Sequence, residues 1–213
     1  MGSCLAHLWV RCGYSITVTN SRGPSTMTEL ICQLGSGAEA TLNEHAIRRA
    51  EVVVLTLPWR ARREIVRCVT RFSGKIVVDV MNAYDPYLKI IDLGGVSSSL
   101  LLASELKGAR VVKALNTIQP SDLDRTLRSG CFTPRAAVPL CGDDADAKHV
   151  VALLIHSIGF EPVDMGALLN GRLFEPGQPL FGRQYPARQL RREFLKQLRG
   201  SGTAKDPAST LIS

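Results

Sequence analysis

Short β-branched runs alternate along the chain with segments whose apolar positions recur every three or four residues. Residues 15–19 (SITVT), 51–56 (EVVVLT), 75–79 (KIVVD), 109–114 (ARVVKA) and 136–140 (AAVPL) predict strands. Near-continuous Val and Ile in these runs is the pattern of strands covered on both faces, as in a parallel sheet. Helices are expected between them at 3–12, 25–34, 61–70, 99–106 and 145–158. Asp143 and Asp144 precede the last helix, where a carboxylate accepts free amide hydrogens and meets the positive end of the helix dipole. With Asp146 they are read as a cap on a solvated helix start rather than a metal cluster. Strand–helix alternation with short turns marked by Gly, Asn and Pro predicts a doubly wound, mostly parallel α/β sheet.

In such sheets ligands bind beyond the carboxyl ends of the strands. The first predicted strand runs into Asn20-Ser21-Arg22-Gly23-Pro24. A dinucleotide domain that selects NAD carries an acid at this strand end for the ribose 2′-hydroxyl. Here Ser21 and Arg22 stand instead, a hydroxyl and a guanidinium whose parallel donors suit the 2′-phosphate of NADP. The bland alternative is a polar turn before a Pro-initiated helix. The next strand ends in Thr56-Leu57-Pro58-Trp59, where Leu57, Pro58 and Trp59 offer apolar surface to a cofactor, although Trp59 equally suits the core. The following two run into Val80-Met81-Asn82 and, past Ala114, into Leu115-Asn116-Thr117-Ile118. Small, amide and hydroxyl residues at successive strand ends suit a nicotinamide-ribose cleft.

The phosphate-binding G-x-G-x-x-G turn should follow the first strand and open the first helix. Gly35-Ser36-Gly37-Ala38-Glu39-Ala40 matches by letters, but it follows a helix and precedes a short strand, so it is rejected. Gly2 sits directly before the first helix, where the third glycine belongs. The chain is therefore expected to begin inside the fingerprint, its first strand lying upstream or lost.

Composition narrows the partners. The chain has 213 residues, 45% hydrophobic and 21% charged, which is ordinary for a globular protein. Its net charge of +7 is mostly local: six basic residues and one acid between Arg183 and Arg199 supply five of the seven. That excludes a uniformly basic nucleic-acid surface. The same segment carries Leu190, Phe194, Leu195 and Leu198 at helical spacing, predicting an amphipathic helix docked on its own domain or on a partner subunit. Beyond Gly200 a disordered end is expected. The longest apolar run, 150–155, falls far short of the about 18–20 residues of a membrane span. Six cysteines without C-x-x-C spacing read as reduced core thiols of a cytoplasmic protein. His7, His45, His149 and His156 fall in expected helices or at their starts, and no catalytic side chain or metal site is named.

The stretches CGYSITVTNSRGP, VVVLTLPWRA, GKIVVDVMN and GARVVKALNTI, and above all LCGDDADAKHVVALLIHSIGFEPVDMG followed by NGRLFEP, carry a resemblance. From Gly2 to about Gly182 the chain resembles the NADP-binding oxidoreductases that include NADPH-dependent reductases of coenzyme F420, a 5-deazaflavin. More distantly it looks like the cytosolic domain of six-transmembrane metalloreductases and like pyrroline-carboxylate reductases. The resemblance implies a Rossmann-like fold and hydride transfer between NADPH and a deazaflavin or other flavin-type acceptor. It places Gly2 at the pyrophosphate, Ser21 and Arg22 at the 2′-phosphate, and Leu57, Pro58 and Trp59 beside the cofactor. Met81 and Asn82 fall near the nicotinamide ribose, and Ala114 with residues 115–118 faces the nicotinamide and the second redox partner. Asn116 stands where deazaflavin-reducing relatives often have His, and Ser25 or Thr26 stands where a basic residue can follow the Ser-Arg pair. The implied organisation is an NADP-binding domain at 1–120, an α/β portion at 121–182 and a basic helix and tail at 183–213. The implied partner is a small redox substrate, with neither nucleic acid nor membrane, and a homodimer is left open. A truncated, inactive NADP-binding or interaction module is the alternative.

Overall fold

A computed structural model describes residues 1–68, 72–129 and 136–200. Thr70, Cys131 and the end beyond Gly200 lie outside the described residues. The elements run α1 (Gly2–Arg11), β1 (Ile16–Val18), α2 (Thr28–Leu34), β2 (Ala38–Ala40), α3 (Asn43–Arg49), β3 (Val52–Leu55), α4 (Arg62–Cys68), β4 (Ile76–Asp79) and α5 (Ser98–Glu105). They continue with β5 (Arg110–Ala114), α6 (Pro120–Ser129), β6 (Ala137–Gly142), α7 (Ala145–Ser157), β7 (Glu161–Asp164) and α8 (Ala187–Gly200). Strands β3 to β7 form one sheet in chain order, while β1 and β2 form a separate parallel pair. Within the larger sheet only the β5–β6 pair is antiparallel.

Successive residues of a strand point to opposite faces, and each face here has its own apolar cluster. Val77, Val111 and Cys141 pack with Leu102 of α5 and with Leu190 and Phe194 of α8. Ile76, Val78, Val112 and Leu140 pack on the other face with Leu5, Leu8 and Trp9 of α1 and with Val151 and Ile155 of α7. Helices therefore cover both sides, and β4, β5 and β6 are buried along nearly their whole length. The Rossmann-like α/β architecture follows from that double covering. Burying each large aliphatic side chain contributes about 1.5–3 kcal/mol, so strands this apolar are stable only inside such a sandwich.

Local signals are satisfied in place. Asp144 caps α7, accepting from the Ala147 amide at 2.7 Å, and Asp143 accepts from the Leu168 amide at 2.9 Å. The basic amphipathic helix is α8, docked through Leu190 (2% exposed) and Phe194 (8% exposed). The glycines of the rejected motif form a 3₁₀ turn between α2 and β2. Gly35 there has φ of 74°, and a Cβ on Gly37 would lie 2.9 Å from Val10 Cγ1. Packing and turn geometry account for both. Helix α1 shares its cluster with Ile16 of β1 and with Val52 and Val54 of β3, so one helix roofs both sheets.

Candidate functional site

The loops leaving β3, β4 and β5 meet at the carboxyl end of the sheet. A Cβ on Gly2 would lie 2.6 Å from Thr56 Oγ1. The glycine thus lets the first turn of α1 lie directly against the end of β3. Leu57 is half-buried and Pro58 exposed. Trp59 is 3% exposed and belongs to the core cluster. The Arg62 guanidinium lies 4.0 Å from the centroid of its ring and pairs with Glu105 at 3.1 Å, so the indole has little surface left for a ligand.

Beyond β1, the Asn20 side chain organises the turn. Its Oδ1 accepts from the Arg22 amide at 2.9 Å, and its Nδ2 donates to Thr26 Oγ1 at 3.0 Å. Gly23, with φ of 92°, completes the bend. Ser21 and Arg22 are exposed, and the Arg22 guanidinium forms no ion pair among the described residues. Thr19, just before this turn, donates to Asn43 Oδ1 beyond β2, but no hydrogen bond among the described residues joins the turn to the ends of β3, β4 or β5.

The ends of β4 and β5 are locked together. Asn82 Nδ2 donates to the Asn116 carbonyl at 3.1 Å, and Asn116 Nδ2 donates to Asn82 Oδ1 at 3.1 Å. Asn116 Nδ2 also donates to the Phe174 carbonyl at 2.9 Å, which fixes the orientation of its amide. Asn116 Oδ1 is left buried, with no hydrogen-bond partner among the described residues. A buried acceptor without a donor is costly, so this atom is an exception among the buried polar side-chain atoms described. The preceding residue, Leu115, is 1% exposed and has φ of 64°. A left-handed, buried leucine is strained backbone of the kind that clusters at binding sites. Ala114 is fully buried and Met81 nearly so.

Below this junction lies a charged network that the sequence reading missed. Lys113 and Asp79 are both fully buried, with Lys113 Nζ 3.3 Å from Asp79 Oδ2. Nζ also donates to the Met81 carbonyl at 3.1 Å and to Ser98 Oγ at 3.3 Å. Asp79 accepts from Ser99 Oγ at 2.5 Å and from the Met81 amide at 3.0 Å. Glu175 accepts from Ser97 Oγ, the Ser98 amide and Ser98 Oγ, and stands 3.9 Å from Lys113. The network therefore holds the Met81 turn by both its amide and its carbonyl. The signal was present as charges inside the runs IVVD and RVVKA, because a charge in a doubly covered strand needs a buried partner. Close by, burial pushes the Cys141 thiol up to about 12 against the opposing charge of Lys113, so it stays protonated and unreactive.

A cavity of about 550 Å³ opens beside the junction, walled by the loop at 83–96 and the segment 172–178. Ala83 follows Asn82, and Glu175 follows the Phe174 carbonyl that Asn116 holds, so cavity and junction are contiguous. The loop is a tight hairpin: Tyr84 bridges Ile90, and Asp85 Oδ1 accepts from the amides of Tyr87 and Lys89, both at 2.8 Å.

Helices on both faces of a mostly parallel sheet, with loops meeting at the carboxyl ends of its strands, form the layout in which α/β folds bind ligands. Residues 1–83 match the model of the family described as NADP oxidoreductase, coenzyme F420-dependent. It is similar to the crystal structure of the hypothetical protein SMa0349 from Sinorhizobium meliloti, with a TM-score of 0.79 and 35% identity over 86% of this chain and 89% of that one. It is 33% identical over 171 residues to the metalloreductase STEAP3 of Rattus norvegicus, covering 80% of this chain and 33% of that protein. The chain thus spans about a third of the metalloreductase's length. The F420-dependent NADP reductase of Methanothermobacter thermautotrophicus is 27% identical over 172 residues, covering 75% of this chain and 71% of the reductase. Among the described residues no helix is long and apolar enough to cross a membrane.

The side chains present fit a phosphorylated dinucleotide. An exposed guanidinium at Arg22 and an acceptor at Asn116 Oδ1, both without partners among the described residues, and a glycine at the start of α1 would suit, in turn, a phosphate, an amide or hydroxyl donor, and close backbone approach.

Proposed function

We propose that this protein is an NADP(H)-dependent oxidoreductase that passes a hydride between NADPH and a deazaflavin (F420-like) or other flavin-type acceptor. The observation that carries the reading is the buried Asn82–Asn116–Phe174 junction, whose Asn116 Oδ1 has no partner among the described residues and whose chain neighbours Ala83 and Glu175 line a cavity. Arg22 and Ser21 would bind the 2′-phosphate, while the amides after Gly2 would face the pyrophosphate at a helix start. Leu57 and Pro58 would supply apolar surface along the cofactor. Met81, Asn82 and Ala114 would border the nicotinamide and its ribose, held by the Lys113 network beneath. NADPH held there would supply a hydride to the acceptor ring, with a proton from solvent completing the reduction as NADPH is oxidised to NADP⁺. The chain's own contribution is distance, stacking geometry and exclusion of water, so no side-chain acid or base is required for the hydride step.

The test is NADPH oxidation by the purified chain with F420, FMN and a ferric chelate, each repeated with NADH. Turnover with a ring acceptor and a preference for NADPH supports the reading. A second reading, NADP binding without turnover, is favoured by the separation of β1 and β2 from the larger sheet, because the Arg22 turn then sits on a strand pair held by α1 packing and by the Glu39–Arg49 and Thr19–Asn43 contacts to α3 rather than by the sheet itself. Tight NADPH binding with no oxidation by any acceptor would select it.

A further inference from the structure

The cavity beside the Asn116 junction has a chemical asymmetry that names its ligand. One wall is apolar, presenting Ala83, Ile90, Leu93, Val96 and Leu173. Ile90 and Val96 are 54% and 43% exposed, so the wall is open toward the mouth. Three charged side chains also line it: Asp92, Glu175 and Arg172. Both acids are engaged. Asp92 Oδ1 accepts from the Gly94 amide at 2.8 Å, and Glu175 takes three hydrogen bonds from Ser97 and Ser98 beside Lys113. Arg172 is half-buried and forms no ion pair or side-chain hydrogen bond among the described residues. A guanidinium withdrawn partly from water without a partner is held at a cost, and a bound anion relieves it through paired donors.

Accepting the hydride-transfer reading above, we infer that this cavity is the acceptor subsite and that Arg172 determines its specificity. It selects a planar apolar ring carrying an anionic substituent, a phosphate or a carboxylate, with the ring against the 83–96 wall and the anion on Arg172. The volume of about 550 Å³ falls in the range of sites that enclose a small molecule. The cavity's contact with the Phe174–Glu175 segment sets the ring beside the Asn116 junction, where a hydride from a nicotinamide would arrive.

The probes are FMN and riboflavin, which share the same ring and differ in one phosphate. Their affinities are read from quenching of flavin fluorescence, in the presence of NADP⁺ so that no turnover occurs. The wild type binds FMN about ten- to a hundred-fold more tightly than riboflavin, the range for one charge-assisted contact. Arg172→Gln brings the ratio to about one by weakening FMN alone, and Arg172→Lys retains part of it. Because Arg172 bonds to no described residue, both variants should melt with the wild type, which a thermal scan checks. Equal affinities in the wild type, no binding of FMN, or a ratio that survives Arg172→Gln would each overturn the assignment. Failure of the hydride-transfer reading looks different: the affinity ratio and its loss in Arg172→Gln persist, but NADPH is not oxidised.

Discussion

Replacing Lys113 with Met keeps the length of the aliphatic stem and deletes the ammonium. Two carboxylates, those of Asp79 and Glu175, then lose the one cation that pairs with them among the described residues, and the Met81 carbonyl loses the Lys113 donor. Asp79 keeps the Ser99 hydroxyl and the Met81 amide, and Glu175 keeps its three serine donors. Those bonds moderate the loss without removing the uncompensated charge. Breaking one partner out of a buried ion pair costs about 3–5 kcal/mol, so Lys113→Met should lie in that range. With a urea m-value of about 2 kcal/mol/M, the midpoint should fall by about 1.5–2.5 M. Trp9 and Trp59 are both buried and report unfolding by fluorescence. Adding Asp79→Asn to Lys113→Met should recover part of the loss, because the second change removes the stranded charge. A loss under about 1 kcal/mol, or a double variant at the sum of two independent losses, would refute the coupling.

Arg22→Gln should raise the KM for NADPH about ten- to a hundred-fold and leave that for NADH nearly unchanged, as steady-state kinetics with both would show. Asn116→Ala severs the bonds to Asn82 and Phe174; it should cost about 1–3 kcal/mol in urea and weaken NADPH binding by calorimetry. A methyl group on Gly171 would stand 3.0 Å from both Lys113 Cδ and Ser97 Oγ, so Gly171→Ala should destabilise by about 1–3 kcal/mol through overpacking, measured the same way. For Cys141 the folded thiol titrates at about 12. Since an unfolded thiol titrates near 8.5, the associated stability is complete below about pH 8.5 and is lost as pH rises toward the folded value. Between about pH 8 and pH 10 the wild type should therefore lose up to about 2 kcal/mol more than Cys141→Ala, by urea titration at each pH.

The layered fold was legible because the Val-rich runs that became β3, β4 and β5 have no polar face to show water. Direction was not: hydrophobic period is the same for parallel and antiparallel strands, so the reversal between β5 and β6 had no signal. Helices α3 and α6 escaped because NEHAIRR and PSDLDRTLRS carry few apolar residues, and their place is set by the sheet they flank. Trp59 shows the limit at the site, since an indole after a strand reads the same whether it faces a cofactor or, as here, lies in the core beneath Arg62. The strand-end residues Met81, Asn82 and Ala114 were marked by their place after β4 and at the end of β5, and Met81 and Ala114 lie buried there. Asn116 had been marked as a departure from relatives, but its bond to Phe174 spans 58 residues and no local pattern encodes it. Lys113 and Asp79 were readable as charges in apolar strands. Arg172 was not, because only the fold shows that it lines a cavity without a partner among the described residues.

The most direct measurement is anaerobic stopped-flow mixing of the protein and NADPH with oxidised F420, following the deazaflavin and NADPH absorbances together, with FMN in a parallel run. The account predicts that one acceptor is reduced for each NADPH consumed, and faster than with NADH. If both absorbances stay constant for F420 and FMN while calorimetry shows NADPH bound, the hydride-transfer claim is contradicted.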